Sequence, residues 1–137
     1  MMPADIKSLI LAEQALQSGA LVRGVSVEDY VQKIQKSAEF LIHYAADSCL
    51  GFVAFYCNDL ESKRGYITMV LISEPGRGKG VAKQLVLGVL NTMRSRGYQT
   101  CGLEVFRSNH SAYKLYINCG FRVVSEYEEF FKMSVNL

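Results

Sequence analysis

The stretch Gly76-Arg77-Gly78-Lys79-Gly80 constrains this chain more than any other. It stands between an apolar run that ends at Ile72 and an amphipathic run that begins at Val81. Glycine adopts backbone conformations that other residues avoid, and it lets a ligand come close to the main chain. A helix that starts directly after such a turn leaves its first amide N–H groups without intrahelical acceptors, with the helix dipole behind them. That is a place for an anion, and Arg77 and Lys79 add positive charge to it. These residues describe a pyrophosphate site, or a glycine-rich turn that holds nothing.

Three phosphate-binding patterns compete for the stretch. A P-loop needs Gly-x-x-x-x-Gly-Lys followed by Ser or Thr; here Gly80 follows Lys79, and Ser73 stands where the first glycine belongs. A dinucleotide fingerprint needs Gly-x-Gly-x-x-Gly, and Gly76, Gly78 and Gly80 have the wrong spacing. The third pattern, Arg/Gln-x-x-Gly-x-Gly/Ala, is met by Arg77, Gly80 and Ala82.

The rest of the chain reads as alternating helices and strands. Residues 5–18 carry Ile6, Leu9, Ile10 and Leu16 at helical spacing, with Gly19 as a stop. Ser26, with Asp29 three residues later, opens a second helix whose inner face is Val27, Tyr30, Val31 and Ile34. The period then changes to two over residues 40–45. Asp47-Ser48 offers a turn, and residues 49–57 form a second apolar run, so the two read as a hairpin. A polar loop over 58–64 leads to a strand over 66–72. After the glycine stretch, a helix over 81–96 buries Ala82, Leu85, Val86, Val89 and Met93, and Gly97 ends it. A strand follows over 100–106. Asn109 and Ser111 open a short helix with Ala112, Leu115, Tyr116 and Cys119 inside, closed by Gly120. Strands near 121–125 and 129–135 complete the order. This is α/β with a mixed sheet. No repeat, linker or boundary interrupts it, so residues 1–137 are expected to form one domain.

Composition excludes some functions. Half of the 137 residues are hydrophobic, enough for a real core. A net charge of +2 is too small to make nucleic acid or an anionic membrane the main partner. Cys49, Cys57, Cys101 and Cys119 form no Cys-x-x-Cys pair, and no histidine completes a zinc pattern, so free thiols and no metal are expected. The apolar part of residues 6–16 is interrupted by Lys7, Glu13 and Gln14 and is too short to span a bilayer. No signal peptide is legible, and a cytoplasmic location is expected.

A second motif joins the glycine stretch. Leu103-Glu104-Val105 is followed by Asn109, Ala112, Leu115-Tyr116 and Gly120-Phe121. Together the two resemble the GNAT superfamily of acyl-CoA N-acyltransferases, over residues 66–125. The chain departs from the family's pattern in two ways. Family members often begin with a strand before the first helix, for which the start of this chain reads as too short, and Pro75 comes one residue later than the family's usual proline.

The resemblance implies a mostly antiparallel mixed sheet flanked by helices, splayed between its central strands. It implies that the pantetheine arm of acetyl-CoA lies in the splay against the backbone of Leu71 and Ile72, where an N–H stabilises the oxyanion. Arg77, Gly78, Lys79, Gly80, Val81 and Ala82 would hold the pyrophosphate. Asn109 would contact the CoA arm, or else cap the following helix. Tyr116 would be the general acid for the departing thiolate, or else a core tyrosine.

Glu104 lies in an apolar strand, where desolvation raises a carboxylate's pKa, and would be the base that collects the amine's proton, or else a structural carboxylate. His43 is a weaker candidate base, and Lys114 could reach the phosphates. The implied partners are acetyl-CoA and an amine acceptor (a small metabolite, an amino sugar or a peptide amino terminus), with no nucleic acid and no membrane, in a monomer or homodimer. The alternatives are an acyl-CoA-binding regulatory module without catalysis and a nucleotide-binding P-loop protein.

Overall fold

The computed structural model describes residues 3–17 and 21–137. Helix α1 spans Ala4–Leu16 and α2 spans Val27–Ser37. The expected stop at Ser18 and Gly19 lies outside the described residues. Ser26 caps α2, its hydroxyl accepting from the Asp29 N–H at 3.1 Å. Strands β1 (Glu39–Ala45) and β2 (Ser48–Tyr56) form the expected hairpin. Its turn includes Ala46 in the left-handed region, φ 54°. Strand β3 is Arg64–Ile72, and a single 3₁₀ turn at Glu74–Gly76, which no periodicity announces, leads to α3 at Val81–Ser95. Then follow β4 (Thr100–Phe106), α4 (His110–Asn118), β5 (Arg122–Glu126) and β6 (Phe130–Asn136). No strand precedes α1 among the described residues.

The six strands form one sheet in the order β1-β2-β3-β4-β6-β5. All neighbours are antiparallel except β3 and β4, which are parallel. Helices cover both faces of β3, whereas β4 is covered by α3 and α4 on one face only and carries the exposed Glu104 on the other. Helices α1 and α2 place Ile6, Ile10, Val31 and Ile34 against Phe52, Ala54, Met69 and Leu71 on one face. Leu85, Val86, Val89 and Met93 of α3, with Tyr116 of α4 and Cys119 just past its end, pack on the other face against Val53, Phe55, Ile67, Leu103 and Val105. Burying each such aliphatic or aromatic side chain contributes about 1.5–3 kcal/mol.

Two irregularities position the site. Met69 pairs with Ala54 but Ile67 pairs with Phe55, so Thr68 is an extra residue in β3. Such a bulge reverses the alternation of side chains beyond it. Ile67 therefore packs in the α3 layer, while Met69 and Leu71 pack in the α1–α2 layer. Beyond that point, β3 and β4 separate. Their pairing is limited to Arg64–Thr100, Gly65–Cys101 and Tyr66–Gly102, whereas β4 pairs with β6 along its whole length. The splay that the family resemblance implies is present at this place.

The four cysteines are in no disulfide. Among the described residues, no helix is long and apolar enough to cross a membrane.

Candidate active site

The wedge between β3 and β4 opens a cleft of ≈ 550 Å³. Its floor follows from the loop after β3. Gly76 packs so closely on β2 that a Cβ there would stand 2.6 Å from the Leu50 carbonyl oxygen. Ser73 ties the same carbonyl with its N–H at 2.9 Å and its hydroxyl at 3.0 Å. The loop is thus pinned to the sheet before it turns into α3. Gly80 is the N-cap residue of α3, in the left-handed region at φ 74°. It offers no side chain to the amides of the first turn. Those amides, on Val81, Ala82 and Lys83, belong to residues that line the cleft and have no intrahelical acceptor.

Leu71 and Ile72 line the cleft from β3, past the last pairing with β4. Gly78, Gly80, Val81, Ala82 and Arg77 line it from the loop and helix, and Asn109 and Tyr116 from the far wall. Eleven site residues were expected from the sequence. Nine of those line the cleft, Glu104 stands apart, and Lys79 is exposed and lines no cavity described here. Asn109 caps α4: its side-chain oxygen accepts from the Ala112 N–H at 3.2 Å while the residue also faces the cleft. His43 sits inside the β1–β2 hairpin opposite Gly51 and lines none of these cavities, and neither does the exposed Lys114.

Tyr116 is 7 % exposed and packs edge-on against Phe121, ring centroids 5.8 Å apart. Burial, with a smaller contribution from neighbouring Cys119, raises its phenol pKa well above the ordinary tyrosine value. It therefore carries its proton throughout the neutral range.

Two residues that sequence reasoning did not assign complete the cleft. Glu13 of α1 is only 6 % exposed and forms an ion pair with Arg77. Gln17 donates to the other carboxylate oxygen at 3.1 Å. Arg77 also donates from Nε to the Ile72 carbonyl at 3.2 Å. The guanidinium thus bridges α1 to the end of β3. The signal in the sequence was the position of Glu13, seven after Ile6 and three after Ile10, which puts a charge on the buried stripe of α1.

Glu104 is exposed, on the other side of the sheet from its neighbours Leu103 and Val105. Strand alternation keeps it out of the apolar layer, so the desolvation expected from the Leu-Glu-Val context is not found. It lines a second, smaller cavity of ≈ 220 Å³ with Tyr30, Tyr66 and Thr68. Tyr66 of this smaller cavity also has no role in the sequence reading. Burial first, and then the Glu104 carboxylate, push its pKa up to about 12. Tyr30 shares a hydrogen bond of 3.0 Å with Thr68 Oγ1, and burial pushes its pKa to about 12 as well. Both phenols are neutral donors at working pH.

A six-stranded sheet that splays beside an uncapped helix start, with a protonated tyrosine across the gap, defines an acyl-CoA transferase scaffold. The chain belongs to the acetyltransferase (GNAT) family, whose model matches residues 12–121. Over 74 residues it is 35 % identical to the N-alpha-acetyltransferase MAK3 of Arabidopsis thaliana, covering 53 % of this chain and 39 % of that protein. Over 57 residues it is 35 % identical to the [ribosomal protein bS18]-alanine N-acetyltransferase of Haemophilus ducreyi, covering 42 % and 39 %. The match thus spans about two-fifths of the length of these relatives. Among solved structures, a chain of the NatC complex bound to Gag peptide and CoA shares the fold. Its TM-score is 0.74 at 23 % identity, over 98 % of this chain and 89 % of that one.

Proposed function

We propose that this chain is an N-acetyltransferase that moves the acetyl group of acetyl-CoA directly to a primary amine in a ternary complex. The observation that supports this most is the continuous path from the uncapped start of α3, along the unpaired edge of β3, to Tyr116. The pyrophosphate lies against the amides of Val81 and Ala82, and the pantetheine arm along Leu71 and Ile72. The amine arrives from the Glu104 side. Its nitrogen lone pair attacks the thioester carbonyl, a backbone N–H of β3 holds the oxyanion, and the C–S bond breaks. Tyr116 gives its proton to the departing thiolate, which needs an acid to leave as a thiol. Glu104 takes the proton lost by the amine, directly or through one water. Two relatives are named for acetylation of protein amino termini, which keeps peptide amino termini among the acceptors beside small metabolites and amino sugars.

Tyr116→Phe tests the reading, because it keeps the ring against Phe121 and removes the proton donor. CoA release, followed with a thiol reagent in the presence of mixed amines, is expected to fall roughly 10²- to 10⁴-fold. Acetyl-CoA affinity by calorimetry is expected to hold. Full activity in the variant would leave Tyr116 as packing. Acetyl-CoA binding without turnover on any amine, in the unaltered protein, would favour the regulatory binding module instead.

A further inference from the structure

The acetyl-CoA cleft and the Glu104 cavity are joined by a third space of ≈ 370 Å³ at the mouth of the splay. Val70 and Leu71 belong to both the cleft and this junction. Leu21, Arg23 and Phe106 belong to both the junction and the Glu104 cavity. An acceptor that reaches the thioester from the Glu104 side therefore passes Arg23.

Among the described residues, Arg23 and Glu104 are the charged ones in the lining of the Glu104 cavity. The Arg23 guanidinium lies 3.6 Å over the Phe106 ring. Stacking fixes the plane of a guanidinium and directs its N–H fork sideways, and its five donors can serve more than one partner. Phe106 stands two residues after Glu104 on β4, so the two share a face, their Cα atoms roughly 7 Å apart. A cation stacked on Phe106 and the carboxylate of Glu104 thus border one cavity, which suits an acceptor that carries an ammonium and a carboxylate together. The remaining wall, with Tyr30, Tyr66 and Thr68, supplies neutral hydroxyls that favour neither sign.

We infer that the acceptor is an amine that also bears a carboxylate, with Arg23 as the residue that selects it. The inference rests on the acetyl-transfer reading and adds the class of acceptor. Arg23 binds the carboxylate by a charge-assisted fork, and the amine is thereby turned toward Glu104 and the thioester. The carboxylate has two sources: the α-carboxylate of a free amino acid, or an acidic side chain at the start of a peptide.

The test measures CoA release with matched acceptors. One arm compares each amino acid with its α-amide. The other compares amidated peptides that begin with Asp or Glu with those that begin with Asn or Gln. In one arm the carboxylate form is expected to win by about tenfold or more in kcat/KM, mostly through KM. The arm that shows the preference identifies the source. Arg23→Met is expected to bring that ratio to within about twofold of one, and Arg23→Lys to keep part of it. Equal or better turnover of the neutral forms in both arms overturns the inference while leaving acetyl transfer standing. So does a preference that survives Arg23→Met. Absence of CoA release with every amine overturns the acetyl-transfer reading, and this inference with it.

Discussion

Gly80 allows the donor site to be tested apart from the stability of the fold. It holds φ 74° at the start of α3, and a Cβ built on it meets nothing within 4 Å. Gly97, just past the other end of the same helix, is matched to it: φ 82°, and again nothing within 4 Å of a Cβ. Gly97 lines no cavity described here. Alanine at either position costs about 1–2 kcal/mol for the left-handed conformation. Urea unfolding without ligand is therefore expected to show losses of that size in both variants. The two should part when acetyl-CoA is added. At a hundred times Kd, ligand stabilises the unaltered protein by about 2.7 kcal/mol. A Cβ against the pyrophosphate that weakens Kd tenfold leaves about 1.4 kcal/mol of that in Gly80→Ala at the same concentration. Gly97→Ala is expected to retain the full increment. The assay is the shift of the urea midpoint with acetyl-CoA, checked by calorimetric Kd. Equal ligand stabilisation in the two variants would refute the placement of the pyrophosphate at the start of α3.

Two further outcomes follow from the same geometry. Glu104→Gln keeps the shape of the side chain and cannot accept a proton. kcat/KM is expected to fall and the acidic limb of its pH profile to disappear or move, with acetyl-CoA affinity intact by calorimetry; an unchanged profile would place the base elsewhere. Glu13→Gln removes the buried partner of Arg77. Because the guanidinium is half exposed, the loss is expected to lie between that of surface and buried pairs, about 1–2 kcal/mol by urea unfolding; no loss would mean that the pair does not fasten α1 to the loop.

The elements were legible in the sequence because each rests on a local signal. The change of period at residue 40, the cap at Ser26 and the glycines at 97 and 120 are all settled within a few residues of chain, and the strand over 100–106 matches β4 residue for residue. Most of the cleft's lining was legible for the same reason, since Gly76, Gly78, Gly80, Val81 and Ala82 follow one another in the loop after β3 and the first turn of α3. What was not legible depends on partners far away in the chain. The pairing of Arg77 with Glu13 joins positions 64 residues apart, and no local pattern reports it. The burial of Glu13 was readable in principle, because a charge at helical spacing from Ile6 and Ile10 must find a partner.

Glu104 and Thr68 show how strand alternation decides function here. Leu-Glu-Val looks like an apolar setting along the chain, but neighbours in a strand face opposite layers, so Leu103 and Val105 enter the core while Glu104 faces the smaller cavity beside Tyr30 and Tyr66. Simple alternation would place Ile67, Met69 and Leu71 on one face of β3. The extra residue at Thr68 breaks that rule, and only the register against β2 reveals it. Across the break, one strand borders both cavities. Before it, Tyr66 faces the cavity beside Glu104; after it, the backbone of Leu71 and Ile72 borders the cleft, free of β4.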